Sequence, residues 1–387
     1  MTTWSEHGRH RVAVEAGPRG ARAAPAEAAP SEREERILGI IETARSKRAK
    51  FRDTQITMAH GAGGKATQSL IEGLFVPAFG SGALAAMGDA GAISLPGVDL
   101  ALTTDSFVVK PLRFPGGSIG ELAVNGTVND LAVSGATPLG LSAALIIEEG
   151  LETEVLAREV EAMARSAEEA GVSVATGDTK VVERGKGDGL YIITTGVGVA
   201  DPGLNLSSAS VRPGDKILLS GTLGDHGAAI LIARGDLELE AEVPSDTRAL
   251  TPLVRALKDA AGPDLRFMRD PTRGGVGTVL NELARDSGCG VVLWEGRVPI
   301  RDVVNGACEI LGIDPLYVAN EGKLLATVAP ESADAALEAL RGGEGGEDAQ
   351  IIGEVREEPA RMVVMHTRFG GTRMIDMLVG DPLPRIC

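Results

Sequence analysis

Three stretches decide the fold: Leu100-Ala-Leu-Thr-Thr-Asp-Ser-Phe-Val-Val109, Gly120-Glu-Leu-Ala-Val-Asn-Gly-Thr-Val-Asn-Asp-Leu-Ala-Val-Ser134 and Leu139-Gly-Leu-Ser-Ala-Ala-Leu-Ile-Ile147. The first, within Asp99–Val109, is a short apolar run and reads as a buried strand. The second has helical spacing over Gly120–Ser134, and the third is again a strand. Strand, helix and strand in succession predict an α/β fold. Working outward, Thr153–Ala170 reads as an amphipathic helix, and Val172–Thr176 and Leu190–Val199 as strands. The turn-rich Asp201–Gly214 is the linker to a second α/β unit, from Asp215 to about His366. That unit is expected to hold strands at Lys216–Ser220, Val291–Leu293, Lys323–Val328 and Arg361–His366. Its helices are expected near 225–234, 246–260, 274–285, 302–311 and 332–341, with a loop at Gly342–Glu347. The division is an extension (1–53), a first domain (54–205), a second α/β domain (212–366) and a C-terminal arm (367–387).

Composition bounds the function. Apolar residues make up 43% of the chain, enough for two cores, while aromatics at 3% leave the packing to Ala, Val, Leu and Ile. The longest apolar runs, such as Leu141–Ile147, are too short for a membrane span. No apolar leader follows the start, so no secretory signal is expected. Three cysteines without a CxxC spacing argue against a disulfide framework or a thiolate zinc site. Cys289 and Cys308 sit among apolar residues and read as core. These features predict a cytoplasmic protein with reduced thiols. A net charge of −16 disfavours nucleic acid and anionic membrane as partners. It also means that any nucleotide must be held by backbone N–H groups and by divalent metal on carboxylates.

The two ends stand apart. Residues 1–52 carry eleven Lys and Arg against seven Glu and are rich in Ala and Pro, a texture of disorder. Ser31-Glu-Arg-Glu34 has capping-box spacing, and Ile37, Leu38 and Ile41 would line a short helix. This extension is expected to be dispensable for chemistry. At the other end, Asp381-Pro-Leu-Pro-Arg-Ile-Cys387 closes the chain. Its two prolines forbid a helix or a central strand, so Cys387 rides on an extended arm. Such a thiol is either incidental or a carrier that is loaded in one place and read in another.

The chemistry-bearing residues gather in the first domain. His60-Gly-Ala-Gly-Gly64-Lys65 is neither a Walker A loop nor a dinucleotide fingerprint. Its three glycines either fold over phosphates or make a plain turn before a helix near Ala66. Gly88-Asp89, Thr103-Thr-Asp105-Ser106, Asn129-Asp130 and Thr176-Gly-Asp178-Thr-Lys180 each put a carboxylate at an element end beside small polar residues. Singly, such residues are caps or salt bridges. Four in one domain of small-residue loops read better as a hard-cation site for Mg²⁺. In the second domain Gly224-Asp225-His226-Gly227 and Asp270-Pro-Thr-Arg-Gly-Gly275 open helices, and Asn320-Glu321-Gly-Lys323 forms a third polar patch. Asp270 reads as a helix N-cap and His226 as a cap or solvated residue.

Taken in order, HGAGGK, GD, TTDSFVV, GTVNDLAVSGATP, IEEG, TGDTKVV, SGTLGDHG, RDPTRGGV, NEGK and the terminal PRIC resemble the HypE family of hydrogenase maturation factors. The likeness runs from Thr57 to Cys387, and residues 1–52 have no counterpart in the family pattern. The wider superfamily holds aminoimidazole ribonucleotide synthetase, selenophosphate synthetase and thiamine phosphate kinase. The resemblance implies a two-domain fold dimerising through the N-terminal sheet, with ATP and Mg²⁺ bound without a P-loop. It further implies that a carbamoyltransferase, HypF, loads a carboxamide onto Cys387. ATP-dependent dehydration then yields a thiocyanate whose cyano group passes to iron on a HypC–HypD complex.

On that resemblance Asp89, Asp105, Asp130 and Asp178 carry Mg²⁺. His60, Gly61, Gly63 and Gly64, with Asp105, Asn129, Asp130 and Asp178, hold the nucleotide. Cys387 is the acceptor, Lys180 stabilises charge and Glu321 moves a proton. The plain alternatives are a surface lysine for Lys180 and a capping carboxylate for Glu321. Two other functions stay open: a superfamily kinase or synthetase releasing a small phosphorylated product, and a non-catalytic carrier of the cyano group. A terminal thiol is of no use to the first, and a multi-carboxylate site is of no use to the second.

Overall fold

The computed structural model describes residues 51–79, 88–235, 243–380, 383 and 385–387. The helix expected around Ile37, Leu38 and Ile41 lies outside them. Gly91–Leu95 (β1) and Val98–Phe107 (β2) form a hairpin. A small hairpin of Arg113–Phe114 (β3) and Gly117–Ser118 (β4) follows. Ala136–Glu148 (β5), Ser173–Val182 (β6) and Leu190–Ala200 (β7) complete a five-stranded sheet in the order β1-β2-β7-β5-β6. Only β5 and β6 are parallel, as a crossover through a helix requires. The longer α-helices of this half are Lys65–Leu70 (α1), Ile119–Val133 (α2) and Thr153–Glu169 (α3). Almost every residue of α2 is buried, because the sheet, α3 and the second domain each cover one side. That accounts for its apolar composition all round.

The second domain is a seven-stranded sheet in the order β14-β13-β10-β12-β8-β11-β9. Its strands are Lys216–Leu219 (β8), Leu265–Arg269 (β9), Gly290–Trp294 (β10), Leu325–Val328 (β11), Gln350–Arg356 (β12), Val363–His366 (β13) and Thr372–Ile375 (β14). Its helices are Asp225–Arg234 (α4), Thr251–Ala261 (α5), Gly275–Ser287 (α6), Asp302–Leu311 (α7) and Ala333–Arg341 (α8). The helix expected from 246 starts at Thr251 instead. Pro252 sets its first turn, and Asp246 is taken up by buried contacts, its Oδ1 accepting from Glu321 N at 3.0 Å. Three strands carry no strong sequence signal: β9 mixes Arg with apolar residues, β12 alternates over few residues, and β14 is an exposed edge.

Both ends of the body depart from expectation. Phe51 packs edge-on against His60 with ring centroids 5.7 Å apart, and Asp53 Oδ2 meets His60 Nε2 at 3.0 Å. The ordered body therefore reaches back at least to Phe51. A chain starting at Phe51 is expected to keep the full-length melting temperature, and one starting at Thr54 to melt about 2–4 °C lower, as scanning calorimetry would show. The C-terminal arm, expected to be extended, is docked. Leu383 and Ile386 are buried against the first turn of α4, and Val108 N donates to Cys387 O at 3.0 Å.

Candidate active site

Asp89, Asp130 and Asp270 converge, each offering a carboxylate oxygen within 4.8 Å of the others. Three elements deliver them: the segment leading into β1, the C-terminal end of α2 and the residue after β9. Asp130 Oδ2 accepts from Thr103 Oγ1 at 2.7 Å, and Asp89 Oδ1 pairs with Arg269 Nε at 3.0 Å. Asp105 stands beside them on β2, within 3.4 Å of Thr127 Oγ1. Burial raises Asp130 and Asp270 well above the usual carboxylate range, and each is pushed further by the neighbouring acids. Asp89 is raised to about 6, chiefly by burial and against the pull of Arg269. Packed, buried, like-charged carboxylates are costly until a hard cation neutralises them, so the donor set fits Mg²⁺. Asp270 is the member that sequence reasoning took for an N-cap. Its signal was an Asp-Pro following a strand that was itself not recognised.

The raised values set a pH dependence. Between about pH 4 and about pH 6 folded Asp89 holds a proton that the unfolded chain, at the ordinary 3.8, has released. This contribution therefore weakens the metal-free fold as pH rises through that window. Cation binding needs the ionised acids. The gain in melting temperature on adding Mg²⁺ is accordingly expected to be larger at about pH 8 than at about pH 5. A gain that was independent of pH would remove the cluster as the binding site.

Gly63 and Gly64 close over this cluster. Gly63 has φ +79°, and a Cβ there would lie 2.6 Å from Arg273 O, so only glycine lets the two loops touch. Arg273 Nη1 donates to Gly61 O at 3.1 Å, and Lys65 N donates to Leu378 O at 3.0 Å. Three cavities follow in line. The largest, about 710 Å³, runs past Asp89, Arg269, Ser207 and Arg285. It shares Gln68, Asp89 and Arg269 with a 160 Å³ cavity between Gly63, Gly64 and Asp270. That cavity shares Arg273 with a third, of 170 Å³, lined by Gly61, Ser106 and Cys387. The large chamber, the acids and the terminal thiol thus lie along neighbouring cavities lined by the Gly-rich loop and the Asp270–Gly275 loop.

Glu321 lies close enough to Asp270, Asp105 and Arg273 to feel their charge. It is buried, its Oε1 has no hydrogen-bond partner among the described residues, and its Oε2 faces Gly126 of α2. Burial first, then Asp270, Asp246 and Asp105, hold its carboxyl well above the ordinary range, against the pull of Arg273. These surroundings favour the protonated form of the Glu321 carboxyl. Asn320 fixes the approach: its Oδ1 accepts from Gly224 N at 2.8 Å, and its Nδ2 donates to Pro271 O at 3.0 Å. Charge at Cys387, then Asp105 and Glu321, keeps Arg273 protonated between the thiol and the acids.

Other expected residues fall elsewhere. Asn129 is buried, but both amide protons go to backbone carbonyls, Arg248 O at 2.9 Å and Glu321 O at 3.2 Å, and its Oδ1 accepts from Leu250 N at 2.7 Å. It clamps the two domains rather than facing the cavity. His60 is likewise consumed by Thr57 and Asp53, so it shapes the Gly-rich turn from beneath. Asp178 and Lys180 are exposed on β6 and bond each other at 2.5 Å. The register runs Asp105–Thr194–Ala143–Gly177 across the sheet. At one strand spacing per step, Asp178 is about 14 Å from Asp105, too far to share a cation within one chain.

Residues 87–200 match the family described as AIR synthase related protein, N-terminal domain, and residues 212–365 match its C-terminal domain. The fold and site thus define a two-domain AIR synthase-related protein. Within that class the chain is 54% identical over 340 residues to carbamoyl dehydratase HypE of Azotobacter vinelandii, covering 88% of this chain and 99% of the relative. It is 46% identical over 337 residues to the Escherichia coli K12 carbamoyl dehydratase HypE, covering 86% of this chain and 99% of that one. A crystal structure of hydrogenase maturation protein HypE in complex with ATP superposes with a TM-score of 0.72 at 46% identity, over 86% of this chain and all of that one. HypE in a HypE–HypF complex superposes at 0.76, also at 46% identity, over 80% of this chain and all of that one. The chain belongs to the carbamoyl dehydratase HypE family of hydrogenase maturation enzymes.

Proposed function

We propose that the chain converts a carboxamide on its own Cys387 sulfur to a thiocyanate at the expense of ATP, as a step in [NiFe]-hydrogenase maturation. The observation that carries this reading is the seating of Cys387 in a cavity that shares Arg273 with the cavity beside the acidic cluster. Hydroxide is a poor leaving group from an amide. Transfer of the ATP γ-phosphoryl group to the carboxamide oxygen, with loss of one N–H proton, makes an imidate whose C–O bond breaks to release phosphate. Loss of the second N–H proton leaves the C≡N triple bond on sulfur. The products are the thiocyanate, ADP and phosphate.

The residues divide the work. The 710 Å³ chamber suits the nucleoside, and the 160 Å³ cavity between Gly63, Gly64 and Arg273 suits its phosphates. Asp89, Asp130 and Asp270 would hold Mg²⁺, with Asp105 adjoining, and the ion would supply charge neutralisation on phosphate oxygens. Glu321, once ionised, is the group placed to accept the amide proton, its Oε1 having no hydrogen-bond partner among the described residues. Arg273 bridges the thiol cavity and the acids and steadies charge on the transferring oxygen.

The protein is read as cytoplasmic, with HypF as carbamoyl donor and HypC–HypD as cyanide acceptor. Leu102, Leu139, Val174 and Val181 stand exposed on the N-terminal sheet, apolar surface of the kind a homodimer interface covers. In a homodimer, Asp178 and Lys180 act on the site of the other copy. The test is the intact mass of the Cys387 peptide after carbamoylation, with and without ATP. Loss of one water that requires ATP is expected. A carboxamide that persists with ATP present would overturn the reading.

A further inference from the structure

We propose that His226 is the positioning residue that seats the C-terminal arm and sets where the Cys387 sulfur stands, an inference that rests on the reading of Cys387 as the carboxamide carrier. His226 is the second residue of α4 and is fully buried. Its Nε2 lies 2.8 Å from Ile386 O and its Nδ1 2.8 Å from Ser245 Oγ. A carbonyl only accepts, so Nε2 carries the proton, and Nδ1 of the neutral ring accepts the Ser245 hydroxyl. Burial favours that neutral form.

Ser245 is itself held. Its N donates to Pro115 O at 2.7 Å, and its Oγ accepts from Thr247 N at 3.2 Å. The Phe114 ring stands edge-on to the imidazole at 5.6 Å. Both the plane and the tautomer of His226 are thereby set by the β3–β4 hairpin of the first domain and by the loop before α5. The ring reaches the last carbonyl before Cys387, whose direction decides how the final residue points. Leu383 and Ile386 pack on the same turn of α4, and Arg234 bonds Arg385 O. Without the imidazole donor, Ile386 O is left buried and unpaired, which favours the released arm.

The test uses the full chain as His226→Phe, His226→Gln and Ser245→Ala. Cys387 labelling by iodoacetamide is followed by peptide mapping, alongside ATP-dependent dehydration of preloaded protein and fluorescent-nucleotide affinity. His226→Phe is expected to label Cys387 about tenfold faster and to dehydrate slower by a similar factor, with nucleotide affinity unchanged. Gln, whose side-chain amide can donate to Ile386 O, should restore most of both, and Ser245→Ala should fall between. Wild-type labelling in His226→Phe, or slowed dehydration with unchanged labelling, would overturn the assignment. If Phe prevents folding, Ser245→Ala and Gln decide by the same labelling criterion. Labelling needs neither ATP nor a partner, so a wild-type chain that fails to dehydrate would sink the functional reading while the seat was still judged.

Discussion

Asp270→Asn is expected to lower ATP-dependent dehydration of the loaded arm by about 10²–10³-fold, the scale on which a single preorganised electrostatic group acts. The substitution keeps the shape and removes the buried member of three carboxylates within 4.8 Å of one another. Asp270 is raised well above its ordinary value by burial and then by Asp89 and Asp105, so the metal-free fold carries it at a cost. The same variant should therefore melt no lower than wild type without metal, while losing most of the stabilisation that Mg²⁺ confers. Activity and metal-free stability moving in opposite directions would separate a ligand from a helix cap, whose loss lowers both. Asp130→Asn should behave alike, with a smaller gain in metal-free stability because Thr103 Oγ1 already satisfies one of its oxygens at 2.7 Å. A drop in metal-free melting temperature with dehydration intact would make Asp270 the N-cap that its sequence context suggested.

Cys387→Ala is expected to abolish carboxamide acceptance altogether, leaving nucleotide affinity unchanged and the melting temperature within about 1 °C of wild type. The arm is held by Leu383, Ile386, the His226 bond to Ile386 O and the Val108 bond to Cys387 O, none of which needs sulfur. The thiol is only part-buried, so its removal leaves little cavity. Radiolabelled carbamoyl incorporation followed to completion is the measurement. Incorporation equal to wild type would move the acceptor to another residue and take the thiocyanate reading with it.

The parts of the site that were legible in the chain are those whose chemistry is local. Asp105 shows because a carboxylate interrupts an apolar strand, and Asp130 because it closes the apolar face of a helix. Cys387 shows because two prolines strip its arm of regular structure. Gly63 and Gly64 show as a turn, although not as a surface for Arg273 to lie against. Asn129 and His60 were readable as polar residues in the right place but not as structural clamps. Their hydrogen-bond partners, Arg248, Leu250 and Asp53, carry no mark of that pairing.

The sequence by itself determined the two α/β units, their order and the residue types that a hard cation and a carrier thiol require. Periodicity and turn chemistry act over a few residues, and those are what a chain displays. Only the tertiary structure decided that Asp270 joins Asp89 and Asp130, that Asp178 and Lys180 stand three strands away, and that the arm docks on His226. The first and last depend on how the two domains' loops meet, and the second on strand order within the first sheet. Burial then turns an ordinary carboxylate into a charge that must be neutralised, a property of the space around it that no local pattern encodes.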